Sequence, residues 1–454
     1  MITRAKRYLD EAGMPSPAML RSVLAEHLAE APRLGRLAGY YRGDSEITRR
    51  VRQKGLPNNR IAHPYARYIV SVATGYLIGQ PVNYSVDGGE DALQPVTDAY
   101  SKCSISSIDA ENARHASIYG RGVEYVHVSE NDDGQVLPCV AALSPEQAFV
   151  VYDDDYHNTP LFGVYYAQDT TEEGDQDGWR VYLMGAKSVR ECHMTDLSAS
   201  AVTVVSETPH YFGGVPMIEY WNDEDERGDF EWVLPLIDAY DKLQFVDKLL
   251  LLTGCTLEDD ERGRPPWQQL REDKALCLPD LQAKAEYLQG ALTESDVEVL
   301  RTALVADIHK MSMIPDLSDR EFASNASGVA MKYKLWGLEQ MTNVKQQWFI
   351  EGLKMRLKLF ANFCKVQGHP ALNVDDVKIT MTRAMPANLV ENAQMAQYAE
   401  AAGAASTETK VRMLHAADGW TDEMVRDEVD KIKGDEPTQS IDDILSGAAS
   451  PGDE

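Results

Sequence analysis

An α+β protein is expected from three features of this 454-residue sequence. Apolar residues recur at helical spacing over the first 120 positions. Short β-branched and aromatic runs, separated by acidic or Gly- and Asn-rich turns, fill 121–221. Helix-forming composition then returns from Glu231 to about Lys433. Element by element, Ser16-Pro17 opens a first helix with Leu20, Val23, Leu24 and Leu28 on one face, and Pro32 interrupts it. A second helix covers about 64–78, with Ile69, Val72, Ala73 and Tyr76 as its buried stripe and Gly79 closing it. A third covers about 106–119 and stops at Gly120. Strands at 123–128, 148–152, 161–167, 179–184 and 201–205 form an antiparallel meander or small sandwich.

The second half is expected to be mostly helical. One helix runs over about 232–253, followed by a loop-rich mixed segment, 257–291, holding Pro265, Pro266 and Pro279. Thr293 with Asp296 caps a helix to about Met311, and 313–328 is irregular. Residues 329–367 contain no proline; their 39 positions make a helix about 58 Å long, with Gly337 and Gly352 as candidate kinks. A strand at 377–383, an Ala-rich helical region at 386–433 and a mobile acidic end at 434–454 complete the chain.

Composition narrows the function classes. Hydrophobic residues make up 44 %, which excludes wholesale disorder. No run of 18 apolar residues is present, so no membrane span is expected, and the first residues lack the apolar core of a secretory signal. Cys103, Cys139, Cys192, Cys255, Cys277 and Cys364 form no CxxC pair and are expected to be scattered reduced thiols of a cytosolic protein. The formal net charge is −28, unevenly spread. Residues 1–70 hold 13 Lys and Arg against 6 Asp and Glu; the last 64 hold 15 acids against 5 bases. Phosphate neutralisation supplies most non-specific nucleic-acid affinity. Either nucleic acid is irrelevant to this chain, or the chain sits close to it without gripping it.

Catalytic signatures are missing from the sequence. It holds no GxxxxGK[ST], no GxGxxG after a strand, no HExxH and no GxSxG, and its histidines are scattered singly. The runs Asp153-Asp154-Asp155 and Asp223-Glu224-Asp225-Glu226 lack ordered ligand spacing and are expected to be solvated turns. No cofactor, metal or catalytic residue is expected.

Three segments are distinctive. The first is Tyr40-Tyr41-Arg42-Gly43-Asp44. The second is Leu56-Pro57-Asn58-Asn59-Arg60 running through Tyr65-Ala66-Arg67-Tyr68 to Gly75-Tyr76-Leu77-Ile78-Gly79-Gln80-Pro81-Val82. The third is Ser324-Asn325-Ala326-Ser327-Gly328-Val329-Ala330-Met331-Lys332-Tyr333-Lys334. Local caps explain each one singly but not their joint order and separation. Together they resemble the portal proteins of long-tailed (siphovirus-type) bacteriophages, over about residues 40–435. One departure is His63-Pro64.

That resemblance implies a portal fold. It has a mixed wing (1–231), a stem helix (232–256), a small clip (257–291) and a second stem helix (292–312). A channel loop (313–328), a long wing helix with a returning strand (329–385), a crown (386–433) and a flexible acidic tail (434–454) follow. It implies a homo-oligomeric ring, usually a dodecamer, at one capsid vertex of the virion, assembled in the bacterial host cytoplasm. Double-stranded DNA passes through it without sequence specificity during packaging and ejection. Terminase, a head–tail adaptor, and major capsid and scaffolding proteins are the implied partners, and the family has no catalytic site of its own. The channel-loop candidates are Pro315, Asp316, Asp319, Arg320, Glu321, Phe322 and Asn325, with Lys332 and Lys334 behind them. The clip candidates are Glu258, Asp260, Arg262, Arg264 and the aromatic anchor Trp267. An acidic channel would let DNA slide by not holding its phosphates. Two other classes compete: an α+β enzyme such as a metal-dependent nuclease, and a shorter virion protein such as a head–tail adaptor. The 39-residue basic helix and the lack of a convergent acidic motif weigh against the nuclease.

Overall fold

A computed structural model describes residues 1–51, 60–86, 88–130, 134–171, 174–199, 201–243, 249–253, 284–288, 294–317, 333–383, 389–403, 406–414 and 422–435. It is a mixed α+β structure. Strand β1 (Ile2–Arg4) precedes helix α1 (Pro17–Arg42), whose first turn is closed by Ser16 Oγ accepting from the Met19 amide at 3.2 Å. Pro32 does not interrupt α1, contrary to expectation. Its missing N–H costs one helical bond, but both halves are anchored, Leu20, Val23 and Leu24 before it and Leu34, Leu37 and Ala38 after it. Gly43, at φ 88°, ends α1 in the left-handed region. Helix α2 (Tyr65–Ile78) buries Ile69, Ala73 and Tyr76 as expected, with Val72 half-buried. Strand β2 (Asn83–Val86) leads to α3 (Glu90–Lys102), an additional helix that carries Pro95 inside it and buries Leu93, Val96, Ala99 and Tyr100. Helix α4 (Ile105–Tyr119) ends at Gly120.

The β region holds two sheets. Strands β3 (Arg121–Glu130), β4 (Val136–Leu143) and β10 (Met217–Trp221) make one, in the order β10-β3-β4. The other is a meander of β5 (Ala148–Asp153), β6 (Pro160–Thr170), β7 (Gln176–Met184), β8 (Ser188–Met194) and β9 (Thr203–Pro209). Strand β1 joins its β5 edge in parallel. Period two explains why β5 is buried on both faces. Ala148, Val150 and Tyr152 share a core with Val123 and Met217 of the other sheet, while Phe149 and Val151 share one with Leu20, Val23 and Leu24 of α1. The meander was expected; β4, β8 and β10 extend the expectation.

Two expectations need correction. The helix expected over 232–253 is only a 3-10 turn (Glu231–Val233) and α5 (Leu234–Leu243). Leu249–Thr253 is instead strand β11, antiparallel to β12 (Lys284–Leu288). A short, unbroken apolar run fits either element, and here strand pairing decides it. The cysteines are not all reduced thiols either: Cys103, which caps α3, is disulfide-bonded to Cys139 in β4. A sequence separation of 36 carried no sign of this pair. Cys192 and Cys364 are buried free thiols; Cys255 and Cys277 lie outside the described residues.

Helix α6 (Glu294–Ser312) follows expectation closely. Helix α7 (Trp336–Val366) has 31 residues and spans about 46 Å; the expected start at 329–332 lies outside the described residues. Gly352, taken from sequence as a kink candidate, is where the Tyr220 ring lies against the helix, and a Cβ there would collide with it. Strand β13 (Val377–Thr380) pairs with β2. Helices α8 (Leu389–Ala401), α9 (Thr407–Leu414) and α10 (Asp422–Asp435) follow, with Val411, Val425 and Val429 as their own small core. Among the described residues no helix is long and apolar enough to cross a membrane.

Candidate functional site

The first two motifs meet on α5. Tyr40 Oη donates to Asp238 Oδ1 at 2.6 Å, and Ser45 Oγ donates to Asp241 Oδ2 at 2.7 Å. The His63 amide and its Nδ1 both approach Asp241 Oδ1, at 3.0 and 2.9 Å. Burial raises the Asp238 carboxyl above the ordinary range, opposed by the Tyr40 hydrogen bond; burial also raises the Tyr40 hydroxyl. His63-Pro64, the departure from the family pattern, thus supplies two contacts to a fully buried carboxylate.

Next to this hub lies the root of the expected channel loop. Met313, at φ 58°, turns the chain away from α6, and the Ile314 carbonyl lies 2.9 Å from His309 Nδ1. Tyr68 of α2 then holds the backbone. Its hydroxyl donates to the Pro315 carbonyl at 2.8 Å and accepts from the Leu317 amide at 3.0 Å. His309 stands edge-on to Tyr65 and Tyr68, and Tyr65 edge-on to Tyr240. Burial, helped by Tyr240, raises the Tyr65 hydroxyl. His63, Pro64, Tyr65, Tyr68, Val305, His309 and Asp316 line a cleft of about 370 Å³.

Of the loop candidates, Pro315 and Asp316 sit in this cluster and Lys334 is half-buried just before α7. Asp319, Arg320, Glu321, Phe322, Asn325 and Lys332 lie outside the described residues, as do the clip candidates Glu258, Asp260, Arg262, Arg264 and Trp267. Tyr65, Tyr68 and His309 were not chosen from sequence. The two tyrosines belong to the second motif, three positions apart on a helix, which puts them on one face. Nothing in the sequence singled out His309.

The rest of the second motif reaches α7. Tyr76 Oη donates to Glu339 Oε2 at 2.6 Å, and Arg383 Nη2 donates to Asn343 Oδ1 at 2.7 Å. Farther along α7, Arg356 is fully buried. Its Nε and Nη2 donate to the two oxygens of Glu124 at 2.8 and 2.5 Å, and Nη2 pairs with Asp109 at 2.6 Å. Asn112 and Tyr220 complete the Glu124 carboxylate at 2.7 and 3.2 Å. Burial opposes the Arg356 charge, but Asp109 and Glu124 outweigh it and its pKa rises. Lys345 Nζ donates to Asp229 at 2.6 Å, and Ser117 donates to the same carboxylate. These groups are locked as structural ion pairs. The Asp153 and Asp155 carboxylates accept backbone amides, as turn residues do. Among the described residues no three His, Cys, Asp or Glu side chains cluster as metal ligands. What the geometry provides is mechanical: two anchored helices with a clamped loop root between them.

A family model described as "Phage portal protein, SPP1 Gp6-like" matches residues 20–440. The chain belongs to the phage portal protein family. Portal proteins are structural components rather than enzymes. Among curated relatives, the chain is 21 % identical over 434 residues to the portal protein of Bacillus phage SPP1, covering 88 % of this chain and 84 % of that one. Among solved structures it is similar to a chain of the virion of a native gene transfer agent particle. That match has 12 % identity and a TM-score of 0.41 over 85 % of this chain and 93 % of the other. A chain from the neck of an empty particle of this kind matches with 12 % identity and a TM-score of 0.40, over 78 % and 90 %.

Proposed function

We propose that the protein assembles as a homo-oligomeric, dodecameric ring at one capsid vertex of a phage virion and conducts double-stranded DNA during packaging and ejection. The match to the portal family over residues 20–440 carries this proposal. In it, residues 313–328 are the loop that faces DNA. The geometry at the loop's two ends supports the assignment. Ile308 and Ile314 on one side share a core with Leu335 and Leu338 on the other, so the described residues that flank the segment come together in one core. Tyr68 holds the backbone at Pro315 and Leu317. The net charge of −28 favours sliding over gripping. Work to move the DNA comes from a separate terminase ATPase. Terminase and then a head–tail adaptor dock on 257–291, with Trp267 as the anchor, while capsid and scaffolding proteins surround the wing.

Electron microscopy of the purified protein is expected to show rings with a central hole. A strictly monomeric mass at every salt and protein concentration would overturn the ring. Replacing Asp316, Asp319 and Glu321 together by Lys is expected to permit assembly but to slow DNA packaging, most at low salt. Packaging at the normal rate in low salt would remove the loop from the channel.

A further inference from the structure

Two helix faces carry apolar side chains that stay exposed among the described residues. On α7, Trp336, Val344, Trp348 and Met355 are 61, 50, 38 and 41 % exposed. Steps of eight, four and seven residues place them in one stripe about 28 Å long. It runs opposite the side on which Phe349, Leu353 and Arg356 are buried. On α6, Val299, Leu300 and Met311 are 70, 43 and 57 % exposed; Val299 lies opposite the buried Ile308, and Leu300 and Met311 lie on the flank between them. Exposed apolar surface on this scale marks an interaction site.

The chemistry of the two faces identifies the occupant. The α7 stripe is flanked by Lys358 and by Lys354, which pairs with Glu351 at 2.9 Å, whereas α6 carries four carboxylates against Arg301 and Lys310. The faces complement each other in sign and in shape class, aromatic against aliphatic. Neither complements itself, because α7 against α7 would oppose lysines. Among the described residues the two helices of one chain share the core of Ile308, Ile314, Leu335 and Leu338, and both apolar faces stay open to solvent. An α6 face seated on a given α7 would then come from another copy.

We infer that the α7 face of one copy seats on the α6 face of the next. Such a head-to-tail contact between two different surfaces closes into a ring when its rotation is a fraction of a full turn. The inference rests on the ring proposed above and names the surfaces that build it.

Two variants test it. Trp336→Glu with Trp348→Glu breaks the α7 face; Val299→Glu with Leu300→Glu breaks the α6 face. Each variant is expected to keep the wild-type circular dichroism and thermal transition yet remain monomeric by native mass spectrometry. Association should weaken about thirtyfold for each tryptophan lost. Mixed one to one, they retain a single intact face pair and should form heterodimers and nothing larger. Rings from either variant alone, or monomers only in the mixture, would overturn the inference. Should a variant misfold, benzoylphenylalanine at position 336 of otherwise wild-type protein replaces it. Photo-cross-links to 299–311 of a second copy support the contact, and cross-links elsewhere refute it. Failure of the wild type itself to assemble would instead overturn the ring proposal.

Discussion

Beneath α7 an apolar core is threaded with buried ion pairs, whereas the core that α1 shares with the six-stranded sheet is built from apolar side chains. Arg356, Glu124, Asp109 and Lys345 are all at most 4 % exposed; Arg356 pairs with Glu124 and Asp109, and Lys345 with Asp229. The six-stranded sheet instead buries Phe149, Val151, Phe162 and Val164 against α1 and leaves ion pairs such as Arg180–Asp169 at its rim. The difference separates two jobs. Apolar burial stabilises in proportion to area and tolerates small shifts. A buried ion pair adds little net stability but penalises any geometry in which a charge loses its partner. The buried ion pairs therefore fix where the long helix lies against α4 and β3, and the apolar core keeps the sheet folded.

The largest expected effect tests that division directly. Arg356→Met strands Glu124 and Asp109 in the interior and is expected to cost about 3–5 kcal/mol in urea unfolding. Adding Glu124→Gln and Asp109→Asn should recover much of the loss. A single variant as stable as the wild type would show that these charges are not confined as described.

Second comes a pH effect on the apolar side. His27 is buried, stacked on Phe149 at 4.4 Å, with its ring nitrogens 3.0 Å from the Tyr166 hydroxyl and from the Pro145 carbonyl. Burial foremost, then Arg121, pushes it down to about 4 from an ordinary 6.5. Between those values the unfolded chain binds a proton that the folded chain refuses. Its contribution is thus complete above pH 6.5 and falls as pH drops towards 4, by up to about 3 kcal/mol. His115 is likewise pushed down to about 4 by burial and adds to the slope. His27→Gln should flatten the pH dependence of unfolding by one proton in this window. An unchanged slope would contradict the burial of a neutral ring there.

A smaller effect is expected where one neutral hydroxyl holds backbone. Tyr68→Phe removes both loop-root hydrogen bonds, at about 1 kcal/mol, and should raise hydrogen exchange at the Leu317 amide several-fold without changing the global transition. The smallest is at the rim: Arg180 is nearly half exposed, and Arg180→Ala should cost less than about 1 kcal/mol. A loss as large as that of Arg356→Met would erase the distinction between rim and interior charge.

Local signals carried much of this fold and little of its long-range wiring. The bounds of α2 and α6 and the order of the meander follow from apolar period and turn residues, which act within a few positions. Pro32 misled because tertiary packing on both sides outweighs one lost helical bond, and Pro95 similarly lies inside an amphipathic helix. The four leucines at 249–252 offered no periodicity to separate strand from helix. Arg356 looked like one more base on a basic helix, because its partners are supplied by α4 and β3, far back in the sequence. At the loop root, Pro315 and Asp316 were legible as loop residues from the break they make after α6. The Tyr68 clamp was not, because it depends on where α2 is placed in space.

The ion pair under the long helix also sets a timetable for the nascent chain. Glu124 and Arg356 are 232 positions apart, so at about 5–20 residues per second the ribosome delivers the arginine about ten to fifty seconds after the carboxylate. The meander, by contrast, pairs each strand with its immediate successor and can form from local contacts as it emerges. A chain released early would carry a finished sheet beside an open apolar surface around Tyr220 and two acids lacking their arginine, the state most exposed to proteases and to aggregation. Seating of the long helix is thus a late event of synthesis, open only to a chain extended past α7.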